Sequence, residues 1–172
     1  MFSEPIFVEN DYHHVITVAV GDLDGDGSLD LASASFDYNK QIAWYRNKDG
    51  LGNFGPQILI STYTNYAMSI VIGDFNGDGY PDLVFASKSD NKIAWCKNTD
   101  GKGTFGKEII VTTNATQAMN VATGDLDGDG YLDLISASWK DNKIAWYKNS
   151  GPCCSPGQGS TNGAVCESCS PG

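Results

Sequence analysis

The chain has 172 residues, 11 of them basic and 21 acidic, for a formal charge of −10, and that length suits a single domain of ordinary size. The acidity leaves no basic patch for nucleic acid, and no apolar run approaches the length of a membrane-spanning helix. The opening Met1-Phe2-Ser3-Glu4-Pro5 has neither the basic start nor the apolar core of a signal peptide.

In chain order, the first run with strand chemistry covers residues 5–8. A second, 15–20, leads into an acidic loop, Asp22-Leu23-Asp24-Gly25-Asp26-Gly27-Ser28-Leu29-Asp30. Runs at 29–35 and 41–47 follow, then Phe54-Gly55 and a run at 57–61. The pattern restarts at 68–72 and passes through Asp74-Phe75-Asn76-Gly77-Asp78-Gly79-Tyr80-Pro81-Asp82. It continues with runs at 82–87, 92–98 and, after Phe105-Gly106, 108–112. A third copy has a run at 119–122, the loop Asp125-Leu126-Asp127-Gly128-Asp129-Gly130-Tyr131-Leu132-Asp133, and runs at 132–138 and 143–149. A tail rich in Cys, Gly, Pro and Ser closes the chain over 151–172. Apolar, β-branched runs divided by Gly, Asn and Asp turns read as strands, and no stretch sustains a helical period.

The acidic loops carry the chemistry. In each, oxygen side chains fall at positions one, three, five and nine: Asp22, Asp24, Asp26 and Asp30; Asp74, Asn76, Asp78 and Asp82; Asp125, Asp127, Asp129 and Asp133. Glycine holds position six, and Ser28, Tyr80 or Tyr131 at position seven offers a backbone carbonyl. Asp and Gly also dominate ordinary turns, so one copy alone could be a solvated turn. Three matching copies argue otherwise, because crowded carboxylates repel one another unless a cation lies among them. Ca²⁺, which takes six to eight oxygen ligands, is the expected ion at all three sites. Three such ions would offset six of the ten net negative charges. Asn76 keeps an oxygen but removes one charge, so the middle site is expected to bind more weakly.

Asp22, Asp74 and Asp125 lie 52 and 51 residues apart, and Phe2, Phe54 and Phe105 keep that spacing. So do Trp44, Trp95 and Trp146, within a residue; being the same in every copy, they are expected in the core. A fixed period of this size marks a repeat architecture, and four antiparallel strands per repeat is the unit of a β-propeller blade. The fold class is therefore all-β: three four-stranded blades over 1–150 (about 2–53, 54–104 and 105–150), not closed within one chain, plus a short disulfide-rich tail.

The segments VAVGDLDGDGSLDLASAS, VATGDLDGDGYLDLISAS and DNKIAWYKN resemble integrin-α-type FG-GAP/VCBS repeats across residues 2 to 150. The resemblance implies calcium-loaded β-propeller blades, usually seven in number, on extracellular adhesion, lectin-like and cell-surface proteins, with metal ligands on the acidic positions named above. The tail CCSPGQGSTNGAVCESCSPG is similar to the start of a Cys-rich, EGF- or ephrin-receptor-like module. Three units are too few for a closed propeller.

The strands read D, ABCD, ABCD, ABC, so residues 5–8 form an orphan outer strand and the third blade lacks one. The expected remedy is strand addition between chains, head to tail, closing as a ring or running on as a filament. A fragment of a longer seven-bladed receptor is the alternative. Cys153, Cys154, Cys166 and Cys169 are candidates for disulfides, whose pairing sequence cannot assign; a zinc site on Cys166 and Cys169 is the lesser option. Cys96 fills the slot of Tyr45 and Tyr147 and reads as a small buried thiol. Asn114-Ala115-Thr116 is a glycosylation sequon, consistent with a secreted or cell-surface protein.

No enzyme is expected. His13 and His14 are the only histidines, and neither lies in a nucleophile motif. The face opposite the acidic loops would carry Tyr12, His13, His14, Phe36, Tyr63, Tyr66, Lys88 and Trp139. Such aromatic and polar groups suit a carbohydrate or protein ligand, with His14, Phe36, Tyr66 and Trp139 as candidate contacts, or an assembly interface.

Overall fold

The computed structural model describes residues 4–8, 14–36, 41–61 and 64–151. Eleven strands and no helix make up the described residues. The first blade holds β1 (Val15–Gly21), β2 (Asp30–Ser35), β3 (Ile42–Tyr45) and β4 (Ile58–Ser61). The second holds β5 (Ala67–Gly73), β6 (Asp82–Ser87), β7 (Lys92–Cys96) and β8 (Ile109–Thr112). The third holds β9 (Ala118–Gly124), β10 (Asp133–Ser138) and β11 (Lys143–Tyr147). Each sheet is an antiparallel meander in chain order, with four, four and three strands.

Residues 5–8, expected as a strand, form none. A strand needs a neighbour for its backbone hydrogen bonds, and Ile6 and Phe7 are instead 82 % and 77 % exposed. The third sheet accordingly ends at β11 with no partner on its outer side among the described residues.

The repeat extends to backbone irregularities. Just before the first strand of each blade, His14, Tyr66 and Gln117 sit at φ 42°, 59° and 54°. The register then shifts between Val15 and Thr17, between Ala67 and Ser69, and where Ser138 meets Ala118. A bulge with a left-handed residue beside it kinks a strand at a set point, here at the end of each blade remote from its acidic loop.

The blades are stacked through two apolar layers. Leu23, Ala32, Ile42 and Trp44 of the first blade meet Ile70, Leu83, Phe85 and Cys96 of the second. Phe75, Val84, Ala86 and Ile93 of the second meet Val121 and Leu134 of the third. The strand β6 is buried throughout because both of its faces meet a neighbouring blade, while β2 and β10, each with one blade beside it, are buried less completely. Cys96 is buried as expected, and burial pushes its thiol up to about 12.

Identical tryptophans differ by position in the stack. Trp44 is 3 % exposed, Trp95 is half-buried and Trp146 is 53 % exposed. The expectation that all three are core therefore fails at Trp146, because nothing among the described residues covers the outer face of the third blade.

Candidate metal centres

Each acidic loop joins the first two strands of its blade and is wound around the aspartate at position one. Asp22 accepts the N–H groups of Gly25 (2.8 Å) and Asp26 (3.1 Å) on one oxygen and that of Gly27 (2.9 Å) on the other. Asp74 does the same for Gly77, Asp78 and Gly79, and Asp125 for Gly128, Asp129 and Gly130. The winding requires φ of +88°, +85° and +90° at Gly27, Gly79 and Gly130. An added Cβ would meet nothing there, so backbone conformation and not space demands glycine.

Position nine closes the loop from the other side. Asp30 accepts Leu23 N–H (2.9 Å) and Asn47 N–H (2.8 Å); Asp82 accepts Phe75 N–H (3.3 Å) and Asn98 N–H (2.8 Å). Asp133 accepts Leu126 N–H (3.1 Å) and Asn149 N–H (2.7 Å). All three carboxylates are out of contact with solvent, yet their proton affinities differ. Burial raises Asp30, and in the middle blade it pushes Asp82 up to about 6. Asp133 stands at the end of the stack with less protein around it, and the Asn149 N–H holds it below the usual carboxylate range.

Oxygens of Asp22, Asp24 and Asp30 lie within 4.8 Å of one another, as do those of Asp125, Asp127 and Asp133. Positions one, three and nine therefore converge in the first and third loops. In the middle loop Asn76 holds position three and donates its amide to Asp82 (3.3 Å). Position five stands apart from these groups: Asp26, Asp78 and Asp129 each accept the N–H of position seven, from Ser28, Tyr80 and Tyr131.

A recurring basic side chain spans each loop. Arg46 bridges Asp24 (2.6 Å) and Asp26 (3.0 Å), Lys97 pairs with Asp78 (3.0 Å), and Lys148 pairs with Asp127 and with Asp129 (3.6 Å). Arg46 holds Asp26 below its ordinary value. At Asp78 burial acts upward, but the Lys97 ammonium and the Tyr80 N–H outweigh it. Sequence reasoning missed these three cations and the asparagines that follow them. The signal was present: Arg46-Asn47, Lys97-Asn98 and Lys148-Asn149 recur every 51 residues, at the foot of the strand facing each loop.

A convergent, all-oxygen donor set of this kind fits a hard divalent cation such as Ca²⁺. Asp22, Asp24 and Asp30, and their counterparts in the third loop, would hold it. The family comparison agrees with this chemistry. The FG-GAP-like repeat matches over residues 22–85 and 74–136. The chain belongs to the FG-GAP-like repeat family. Such repeats form propeller-type structural and binding domains, typical of extracellular proteins and often calcium-binding. No curated protein matches the chain. No helix among the described residues is long and apolar enough to cross a membrane.

The opposite end of the blades gathers the other predicted residues. Phe36 N–H binds the His14 carbonyl (3.1 Å), Lys88 N–H the Tyr66 carbonyl (2.9 Å) and Trp139 N–H the Gln117 carbonyl (3.1 Å). Phe36 and Tyr66 meet edge to face at 4.5 Å, and Lys88 Nζ lies 5.6 Å from the Trp139 ring centre. A shallow groove there is lined by Lys88, Met119, Ala137, Ser138 and Trp139. Asn114 of the sequon is exposed, next to the buried Ala115. Tyr12, His13, Tyr63 and Cys153, Cys154, Cys166 and Cys169 lie outside the described residues.

Proposed function

We propose that the repeat region is an extracellular, calcium-stabilised structural or adhesion module that self-associates head to tail, with the 151–172 tail a disulfide-stapled extension. In this reading residues 5–8 of one copy complete the third blade of another. The observation that carries it is the outer edge of β11, unpaired among the described residues, since an open, apolar strand edge invites pairing. Register supports it. Ile58 pairs with Trp44 and Leu59 with Ala43; Ile109 pairs with Trp95 and Ile110 with Ala94. By the same spacing Ile6 meets Trp146 and Phe7 meets Ala145.

A cavity of about 180 Å³ between the second and third blades, lined by Trp95, Val111, Leu132 and Tyr147 among others, points the same way. At the first interface the equivalent layer includes Phe105; in the third blade the repeat places no Phe at that step, and residues 152–172 contain no aromatic. Phe2 stands at the matching position of the donated segment.

Calcium acts here as a staple. It favours the wound loop and adds stability by binding only the folded state. Deleting residues 1–9 tests the assembly: the shortened chain should sediment as a monomer under conditions where the intact chain associates. Unchanged association would remove strand donation.

A second reading has its own support in the Phe36–Tyr66 pair and the exposed Trp139 beside Lys88, a surface suited to a carbohydrate or protein ligand. A glycan array probed with the wild type and Trp139→Ala separates the two: binding lost with the indole favours a lectin-like face.

A further inference from the structure

Both interfaces between blades are closed by the same asparagine contact, and its two halves recur, unjoined, at the two ends of the stack. Asn98 Nδ2 of the second blade reaches the Leu23 carbonyl of the first (2.9 Å), and Asn149 Nδ2 of the third reaches the Phe75 carbonyl of the second (2.7 Å). Both amides also bond a carbonyl of their own blade, Pro81 (3.2 Å) and Leu132 (3.0 Å); Asn47, at the same position in the first blade, makes the own-blade bond, to the Leu29 carbonyl (3.1 Å), without an inter-blade one among the described residues. Leu126, the counterpart of Leu23 and Phe75, is 50 % exposed.

The glycine ending each first strand also receives the following blade, through a strand residue at the first interface and a loop residue at the second. A Cβ on Gly21 would meet Ile72 at 2.8 Å, and one on Gly73 would meet Leu132 at 2.7 Å. Each glycine admits an apolar side chain of the following blade. Gly124 is open among the described residues, with nothing within 4 Å, while Val20 and Leu29, counterparts of Ile72 and Leu132, are 59 % and 61 % exposed. Val18, which matches the buried Ile70 and Val121, is 62 % exposed. Ile144 and Trp146 are bare on the third blade. Apolar faces of this kind mark interaction sites.

We infer that the outer face of the third blade is a socket for the first blade of a second copy, with Leu29 seated over Gly124 and Asn47 reaching the Leu126 carbonyl. The inference rests on the head-to-tail reading and goes further, by adding to the donated strand a contact between blade faces and fixing its register. The two faces are different surfaces, so the contact is heterologous and propagates until it closes. The internal interfaces supply the template: the asparagine contact repeats what the chain already does twice, and Leu29 over Gly124 repeats Leu132 over Gly73.

The test is the association of the full 172-residue chain in saturating Ca²⁺, followed by mass photometry and analytical sedimentation. Gly124→Val adds a side chain where the single chain has room and no left-handed backbone, so the dilute protein should keep its melting temperature. Val18→Lys changes a residue already in solvent. Each should weaken association roughly 30-fold, the effect of truncating an interface hot spot. Ile109→Lys, at a comparably exposed apolar site (47 %) on the outer strand of the middle blade, should leave association unchanged. Wild-type assembly that both variants reproduce at the same concentrations overturns the socket and leaves strand donation standing. An equal loss with Ile109→Lys shows non-specific adhesion and overturns it too. A wild-type chain that stays monomeric at every concentration overturns the head-to-tail reading itself. If Gly124→Val lowers the melting temperature, the Val18→Lys result decides.

Discussion

Asp82→Ala, in the absence of metal, isolates what position nine does for the fold. The carboxylate accepts two backbone donors, Asn98 N–H at 2.8 Å and Phe75 N–H at 3.3 Å, at sites closed to water. Alanine leaves both without an acceptor, and a stranded buried donor costs about 1–3 kcal/mol, for a gross loss of about 2–6 kcal/mol by the same rule. Two features draw the result toward the lower half. The Phe75 bond is long, and the substitution also relieves the burial of a charge, the cost that pushes Asp82 up to about 6. Asp78→Ala is the internal comparison. It removes a part-exposed pair with Lys97 and one exposed bond to Tyr80 N–H, contacts whose loss changes stability by about 1 kcal/mol or less. Urea unfolding with chelator present, read by tryptophan fluorescence, measures both variants against the wild type. If Asp82→Ala loses no more than Asp78→Ala, the position-nine carboxylate is not the hub that fastens loop to strand, and the reasoning fails.

Other outcomes follow from the same geometry. Adding Ca²⁺ should raise the melting temperature and chelation should reverse it, each site contributing about 2.7 kcal/mol at a hundred times its dissociation constant; thermal scans that ignore chelator would refute a structural metal. Arg46→Ala should tighten Ca²⁺ binding at the first loop, because the guanidinium that spans Asp24 and Asp26 no longer has to be displaced. Titration calorimetry giving wild-type affinity would show that Arg46 leaves the loop without cost. Expression through a secretory pathway should yield a chain whose gel mobility changes on deglycosylation, with the shift abolished by Asn114→Gln; an unmodified wild-type chain contradicts use of the sequon.

Much of the candidate site was legible because its information is local. Acids on alternate positions and a glycine at position six define the acidic loop within nine residues, and the strand runs beside it need only apolar periodicity. The second task of the acids was not legible. That Asp22 winds its own loop through three N–H groups, or that Asp30 reaches Asn47 across 17 residues, depends on where the backbone returns. Arg46, Lys97 and Lys148 were hidden for the same reason: each lies 19 or 20 residues beyond the position-five acid it pairs with.

By itself the sequence determined the blade repeat and the acidic loop in each copy, because both recur with a period that survives without coordinates. Only the tertiary structure decided which copies of a repeated residue are satisfied. Trp44 and Trp146 occupy the same place in nearly the same segment, yet one is buried and the other half in water. Gly21, Gly73 and Gly124 likewise end equivalent strands, and two are filled while one is open. Burial belongs to a residue's neighbours, and in a stack the neighbours run out at the ends.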